Sequence, residues 1–354
     1  MGKRLELLQA PELVFGLVAP VGVDLDLVTD VLTQLLREMR YESRLFRLTA
    51  LMTEVPTGLP LSSATYIQSI KDRIAYANDV RNKLGDDALA ALAVSAIRTF
   101  RGEQWRMQEL VDRAGDKKMP EETPLPNQSY IIRQMKRPEE IALLRNVYGP
   151  QFIAISAYCS QDSRFRKIEE RERLSKGGLV SKEETHDLAF KLISQDAKEA
   201  QEEHGQNIRD AFPLGDVFID ASSRHSCENS LRRFIYLLFG DNQITPTHDE
   251  YGMYIAKSAA LRSSDLSRQV GAAIFQSSGE VIALGCNEVP RAGGGTYWYG
   301  DPEDKRDFVT GFDPNERRKI ELLVDLLNRL VDGTHLSDNL QKVGDPYEIC
   351  KKLL

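Results

Sequence analysis

ELVFGLVAPVGVDLDLVTDVLTQLLREM, residues 12–39, gives the order strand, glycine turn, helix, and that order decides the fold of the first half of the chain. Glu12–Ala19 is apolar enough for a buried strand, and Pro20-Val21-Gly22 makes a turn. From Asp24 to Met39, Leu25, Val28, Leu32, Leu35 and Leu36 fall on one helical face, with Asp24 placed to cap the helix. Such a turn aims backbone N–H groups at a phosphate. A working phosphate loop reads Gly-x-x-x-x-Gly-Lys-Ser/Thr, with the lysine on the β- and γ-phosphates and the hydroxyl on magnesium. Here Gly16 and Gly22 are one residue too far apart, Val23 stands in the lysine's place, and Asp24 replaces the hydroxyl with a carboxylate that repels phosphate. The expectation is a degenerate nucleotide site at Gly16, Pro20, Gly22 and Asp24 that does not transfer a phosphoryl group.

Beyond this stretch the alternation of strands and helices continues. Ser43–Leu48, Ser129–Arg133, Phe152–Tyr158 and Val217–Asp220 read as strands, and Tyr66–Asn82, Asp86–Phe100 and Pro138–Tyr148 as helices. Pro138-Glu139-Glu140 suits a first helical turn. Strands separated by helices imply an α/β fold with a doubly wound parallel sheet, and with its worn phosphate loop this domain looks like a nucleotide kinase. Ser163–Glu172 and Gln195–His204 are dense in alternating charge and read first as a solvated helix pair, with a phosphate-grasping lid as the alternative.

A length of 354 residues allows two domains, each with its own core. The net charge of −7 argues against a generic nucleic-acid-binding surface, though not against a local basic groove. Lys3 and Arg4 are followed by a mixed stretch, not an apolar leader, and no window approaches the roughly 20 apolar residues of a membrane span. Four scattered cysteines, Cys159, Cys227, Cys286 and Cys350, fit reduced thiols in the cytoplasm.

The second half is read from residues 247–299. Ala256, Ala259, Ala260 and Leu261 sit at helical spacing, and Ser263-Ser264-Asp265 breaks that helix. Val270–Phe275 reads as a buried strand, Ser277-Ser278-Gly279 as a turn, Val281–Leu284 as a second strand, and Asn287 stands at its exit. His248-Asp249-Glu250 precedes the helix and reads as its acidic first turn. Helix, hairpin and exit asparagine resemble the opening of the zinc-dependent deoxycytidylate deaminases. With the degenerate kinase-like half, the segments Leu231–Gly240, Thr245–Thr247, Ala260–Ser263, Asp265–Ala272, Asn287–Pro290 and Gly293–Trp298 make the whole chain similar to the anti-phage deoxycytidine nucleotide deaminases.

That resemblance implies a kinase-like regulatory domain at 8–225, a connector at 226–246 and the N-terminal part of a cytidine-deaminase-like α/β/α domain at 247–354. It implies deamination of dCTP and dCMP, with Asn287 on the deoxyribose and Arg262, Ser263 and Arg268 as further substrate-binding residues, the arginines on phosphates. Some members of the family are held silent by a small RNA, and a homo-oligomer is the expected assembly. The chemistry needs zinc held by one His and two Cys, and a glutamate to shuttle protons. The His-x-Glu and Pro-Cys-x-x-Cys motifs that supply them do not occur, no two cysteines form a Cys-x-x-Cys pair, and two ligands at His225 and Cys227 do not make a site. The chain is therefore expected to bind no zinc and to be inactive alone, as a piece of a longer protein. Two other readings stay open: a catalytically silent nucleotide- or RNA-binding sensor, and a nucleotide kinase.

Overall fold

The computed structural model describes residues 10–61, 64–107, 120–178, 182–198, 205 and 207–332. The chain divides between Ile244 and Thr245 into two compact units.

In the first unit the order is β1 (Leu13–Val18), α1 (Leu25–Glu38), β2 (Glu42–Arg47), α2 (Leu48–Leu51), α3 (Tyr66–Leu84), α4 (Ala88–Met107), β3 (Gln128–Met135), α5 (Pro138–Tyr148), β4 (Phe152–Tyr158), α6 (Gln161–Ser175), α7 (Lys182–Lys198), α8 (Ile208–Ala211), β5 (Val217–Asp220) and α9 (Arg224–Leu238). The strands form one sheet in the order β2-β3-β1-β4-β5, and every pairing is parallel. Successive strand residues point to opposite faces, so a strand buried on both faces reads as one unbroken apolar run. Val14, Val18, Tyr130 and Ile132 enter a core with α3, α4 and α5. Leu13, Phe15, Leu17 and Ile131 enter the opposite core with α1 and α9.

Local signals agree with this packing. The Asp24 carboxylate accepts the Leu27 amide at 3.3 Å and caps α1, whose Val28, Leu32, Leu35 and Leu36 are fully buried. Residues 226–246 differ from the expected connector. Cys227, Leu231 and Ile235, at helical spacing, are fully buried against α1 and the sheet, so Arg224–Leu238 belongs to the first unit's core. A third cluster joins α3, α6 and α7 through Ile67, Ile74, Ile168 and Leu192, and it includes Val21 of the turn after β1. The charge-dense helix α6 is thus anchored by Ile168 and by Glu172, whose carboxylate accepts the Ile67 amide at the start of α3 at 2.8 Å. The second charged stretch beyond residue 198 lies largely outside the described residues.

The second unit contains α10 (His248–Ala260), β6 (Gly271–Phe275), β7 (Val281–Cys286), α11 (Asp307–Thr310) and α12 (Pro314–Asp332). Thr247 and Glu250 form a reciprocal capping box: the Thr247 hydroxyl accepts the Glu250 amide at 3.2 Å and the Glu250 carboxylate accepts the Thr247 amide at 2.8 Å. The expected hairpin forms, antiparallel, with α10 against β6. Gly271 allows this approach, because a Cβ there would meet the Ala256 carbonyl and the Ala260 backbone. The expectation that Val270–Phe275 is buried is not met: Ile274 is 59 % exposed, and Ile282 and Leu284 of the partner strand 57 % each. The sheet has two strands, and α10 packs against it. No described helix is long and apolar enough to cross a membrane.

Candidate functional site

At the carboxyl ends of β1 and β3 the topology of the first unit opens a crevice. The chain leaves β1 toward α1 on one face of the sheet and leaves the neighbouring β3 toward α5 on the other. Loops that depart to opposite faces leave a gap at the carboxyl ends of the two strands, where open α/β sheets bind ligands. A cleft of about 500 Å³ lies there, walled by Pro20 and Gly22 of the β1–α1 turn, Arg47 at the end of β2, Arg133 and Gln134 of β3, and Arg171 of α6. Arg73 of α3 stands at its edge and also borders an adjoining recess of about 60 Å³ with Leu48, Met52 and Ile74 as apolar walls. Four arginines against the one carboxylate of Asp26 give the wall a positive excess in a chain of net charge −7.

Local geometry sharpens the site. The β1–β3 ladder slips where Leu17 pairs with Arg133 and Val18 with Met135, which leaves Gln134 as an extra residue at φ +82°. A non-glycine residue held there costs on the order of 1–3 kcal/mol, and such strain concentrates at ligand sites. Gly22 has φ +93°, and a Cβ there would lie 2.9 Å from the Arg164 Cβ and 3.1 Å from its carbonyl oxygen. Both conformation and space therefore demand glycine. Helix α6 lies against this turn, and the Arg164 Nε donates to the Val21 carbonyl at 2.7 Å.

Two carboxylates sit at the foot of α1. Asp24 is paired with Lys167, and the Arg171 guanidinium lies 3.7 Å from its other oxygen. Asp26 is paired with Arg133, with Arg47 at 3.7 Å and Arg171 at 3.8 Å. Burial pushes the Asp24 carboxyl up, but hydrogen bonds from Lys167 and the Leu27 amide outweigh it and hold it below the usual carboxylate range. The hydrogen bond from Arg133 holds Asp26 low against partial burial.

Of the residues read from sequence, Pro20 and Gly22 line the cleft and Asp24 stands beside it as the cap of α1. Gly16 does not belong to the turn. It lies within β1, where a Cβ would come within 2.9 Å of the Phe152 ring. Arg47, Arg73, Arg133, Gln134 and Arg171 were not singled out from sequence. Arg47 and Arg133 carried a usable signal, since each lies at or near the carboxyl end of a strand of a parallel sheet, the end that faces ligands.

In the second unit Ser263 and Asn287 come together, but on one another, while Arg262 turns to Thr296 and Trp298. The Asn287 Oδ1 accepts the Val270 amide at 2.7 Å and lies 2.8 Å from the donating Ser263 hydroxyl, while its Nδ2 donates to the Arg268 carbonyl at 2.7 Å. Arg262 donates to the Thr296 hydroxyl at 2.7 Å, with its guanidinium 3.3 Å from the centre of the Trp298 ring. The Arg268 side chain is exposed. Asn287→Ala removes a clip of three hydrogen bonds across the 263–270 turn. At about 1 kcal/mol each before allowance for exposure, it should destabilise the second unit by roughly 1–2 kcal/mol. A thermal melt followed by Trp298 fluorescence in a Trp105→Phe background checks this, and an unshifted transition would show the turn is held otherwise.

The zinc chemistry implied by the family resemblance finds no matching donors. The described residues contain no group of three or more His, Cys, Asp or Glu side chains able to hold a metal ion. Cys227 is buried in the first unit's core, and burial pushes its thiol up to about 11. His225 makes a 3.0 Å hydrogen-bond contact with Asn229, His248 faces Gly279 of the hairpin turn, and Cys350 lies outside the described residues.

No protein-family model and no curated protein matches the chain. Among solved structures it is similar to shikimate kinase from Bacteroides thetaiotaomicron, at 11 % identity over 64 % of this chain and 98 % of that one, with a TM-score of 0.32. An uncharacterized protein from Eubacterium ventriosum matches at 12 % identity over 63 % and 97 %, TM-score 0.31. A gluconokinase from Sinorhizobium meliloti matches at 11 % over 66 % and 98 %, TM-score 0.27. What the first unit itself shows is an α/β fold with a five-stranded parallel sheet in the order β2-β3-β1-β4-β5. The deaminase resemblance of the second unit gains no support from these comparisons.

Proposed function

We propose that the first unit is a nucleotide-binding module that holds its ligand without transferring a phosphoryl group. The observation that carries this is the arginine-walled cleft at the carboxyl ends of β1 and β3, with an apolar recess beside it for a base. Transfer is set aside because the lysine and hydroxyl positions of the loop are Val23 and Asp24. Lys167, one of the cations that α6 brings to the turn, is already paired with Asp24. Calorimetric titration of the full chain with dCTP, dCMP and ATP tests the reading. Binding should weaken with added salt and fall roughly tenfold in Arg73→Ala, as for the loss of one charge-assisted contact. No γ-phosphate should move to any nucleoside or monophosphate acceptor. Turnover at the roughly 1–100 s⁻¹ of working kinases would overturn the silent-module reading.

A second reading keeps the deoxycytidine nucleotide deaminase of the sequence resemblance for a longer protein, in which 247–354 would be the N-terminal part of the deaminase domain. What supports it is the order of α10, β6 and β7 and the gathering of Ser263 and Asn287 at the exit of β7. The small regulatory RNA, the homo-oligomer and zinc belong to that reading alone. The described donors do not fit zinc, so no catalytic step is assigned to this chain. Conversion of dCTP to dUTP by residues 1–354 with stoichiometric zinc would displace the silent-module reading.

A further inference from the structure

The cations around the β1–α1 turn are engaged by the turn itself. Lys167 pairs with Asp24, and Arg171 lies between Asp24 at 3.7 Å and Asp26 at 3.8 Å. Arg133 pairs with Asp26, and Arg47 approaches it to 3.7 Å. Four cations delivered by β2, β3 and α6 therefore converge on two carboxylates that are two residues apart in the first turn of α1. Two such carboxylates carry the charge of one phosphate dianion, at the end of a helix where backbone amides also favour an anion.

Ordinary surface ion pairs are isolated and contribute little. This cluster differs in its convergence and in being built. Arg133 is only 14 % exposed and Asp24 18 %. The helix that brings Lys167 and Arg171 is seated by packing of Ile168 on Val21 and by the Arg164 hydrogen bond to the Val21 carbonyl. Arg171 is further fixed by the Tyr66 hydroxyl at 3.4 Å, with its guanidinium 5.5 Å from the Tyr66 ring centre.

We infer that Asp24 and Asp26 are an internal counter-anion, occupying the cations that the phosphates of a nucleotide di- or triphosphate would take and holding α6 closed on the turn while such an anion is absent. This rests on the reading of the cleft as a nucleotide site and adds how that site is regulated. The carboxylates compete with the ligand, and the affinity the site shows is its intrinsic affinity reduced by that competition. Displacement transfers Lys167 and Arg171 from aspartate to phosphate, so α6 stays closed in the ligand-bound protein and opens only when both anions are gone.

The test uses the full chain, Asp26→Asn, and the double variant Asp24→Asn/Asp26→Asn, with inorganic tripolyphosphate as the probe. Asparagine keeps the cap of α1 while removing the charge. Calorimetry should show tripolyphosphate binding the double variant about tenfold more tightly than the parent, with Asp26→Asn in between. Amide hydrogen exchange across 161–175 should rise in the double variant without probe and fall again when tripolyphosphate is added. Binding by the parent with no gain in either variant, or unchanged exchange in α6, overturns the internal counter-anion and leaves the nucleotide site standing. Failure of the parent and both variants to bind either tripolyphosphate or dCTP overturns both together.

Discussion

Glu140→Ala is expected to lower the stability of the first unit by about 3–5 kcal/mol, the cost of leaving one partner of a buried ion pair uncompensated. Glu140 is fully buried, and Arg81 is 1 % exposed. One Glu140 oxygen accepts the Arg81 Nη2 at 2.8 Å and its Nε at 3.3 Å. The other accepts the Lys136 amide at 2.7 Å and the Arg137 amide at 3.2 Å, where β3 turns into α5. Alanine would strand a guanidinium in the core and unpair two buried amides at once. Urea unfolding followed by Trp105 fluorescence in a Trp298→Phe background reads the first unit, since the Trp105 indole donates to the Thr123 carbonyl within it at 2.8 Å. Arg81 and Lys136 also border the recess beside the cleft, so nucleotide binding should weaken in the folded protein as well. A loss below about 1 kcal/mol would mean that Arg81 finds water or another acceptor once Glu140 is gone.

The fold of the first unit was legible because its signals are local. β1 is apolar without interruption and β4 is interrupted only by Ser156, as suits strands covered on both faces, and Asp24 and Pro138-Glu139-Glu140 mark helix starts that the structure keeps. The site was less legible because its partners are remote. Arg133 meets Asp26 across 107 residues and Lys167 meets Asp24 across 143. Those pairings follow from sheet register and from where α6 docks, neither of which a local window contains. Gly16 misled in the opposite direction: its distance from Gly22 imitates a phosphate loop, while its cause is the Phe152 ring packed against β1. The hairpin of the second unit shows another limit. An apolar run announces a strand, but Ile274 and Leu284 do not say how many layers cover them.

Glu12→Leu is expected to be as damaging as Glu140→Ala, about 3–5 kcal/mol, yet curable. Glu12 is 1 % exposed at the entry to β1, and its carboxylate receives Arg101 at 3.1 and 2.5 Å, the Leu125 amide at 2.8 Å and the Tyr130 hydroxyl at 2.7 Å. The Arg101 guanidinium also lies 5.9 Å from the Tyr130 ring and 5.8 Å from that of Tyr148. Burial pushes the Tyr148 hydroxyl up to about 12, and that hydroxyl has no hydrogen-bond partner among the described residues. This polar cluster is surrounded by apolar core, where desolvation opposes the Coulomb attraction. Replacing all of its charge, as Glu12→Leu/Arg101→Met/Tyr130→Phe, should therefore restore at least half of what Glu12→Leu loses. Recovery stays incomplete because the Leu125 amide still lacks an acceptor, a deficit of about 1–3 kcal/mol. The Glu12 cluster lies at the amino end of β1 and the cleft at the carboxyl ends, so nucleotide affinity of the folded triple variant should match the parent, in contrast to Glu140→Ala. The same urea unfolding measures the recovery. A triple variant no more stable than Glu12→Leu would show that the loss came from packing around Leu125 and not from a stranded Arg101.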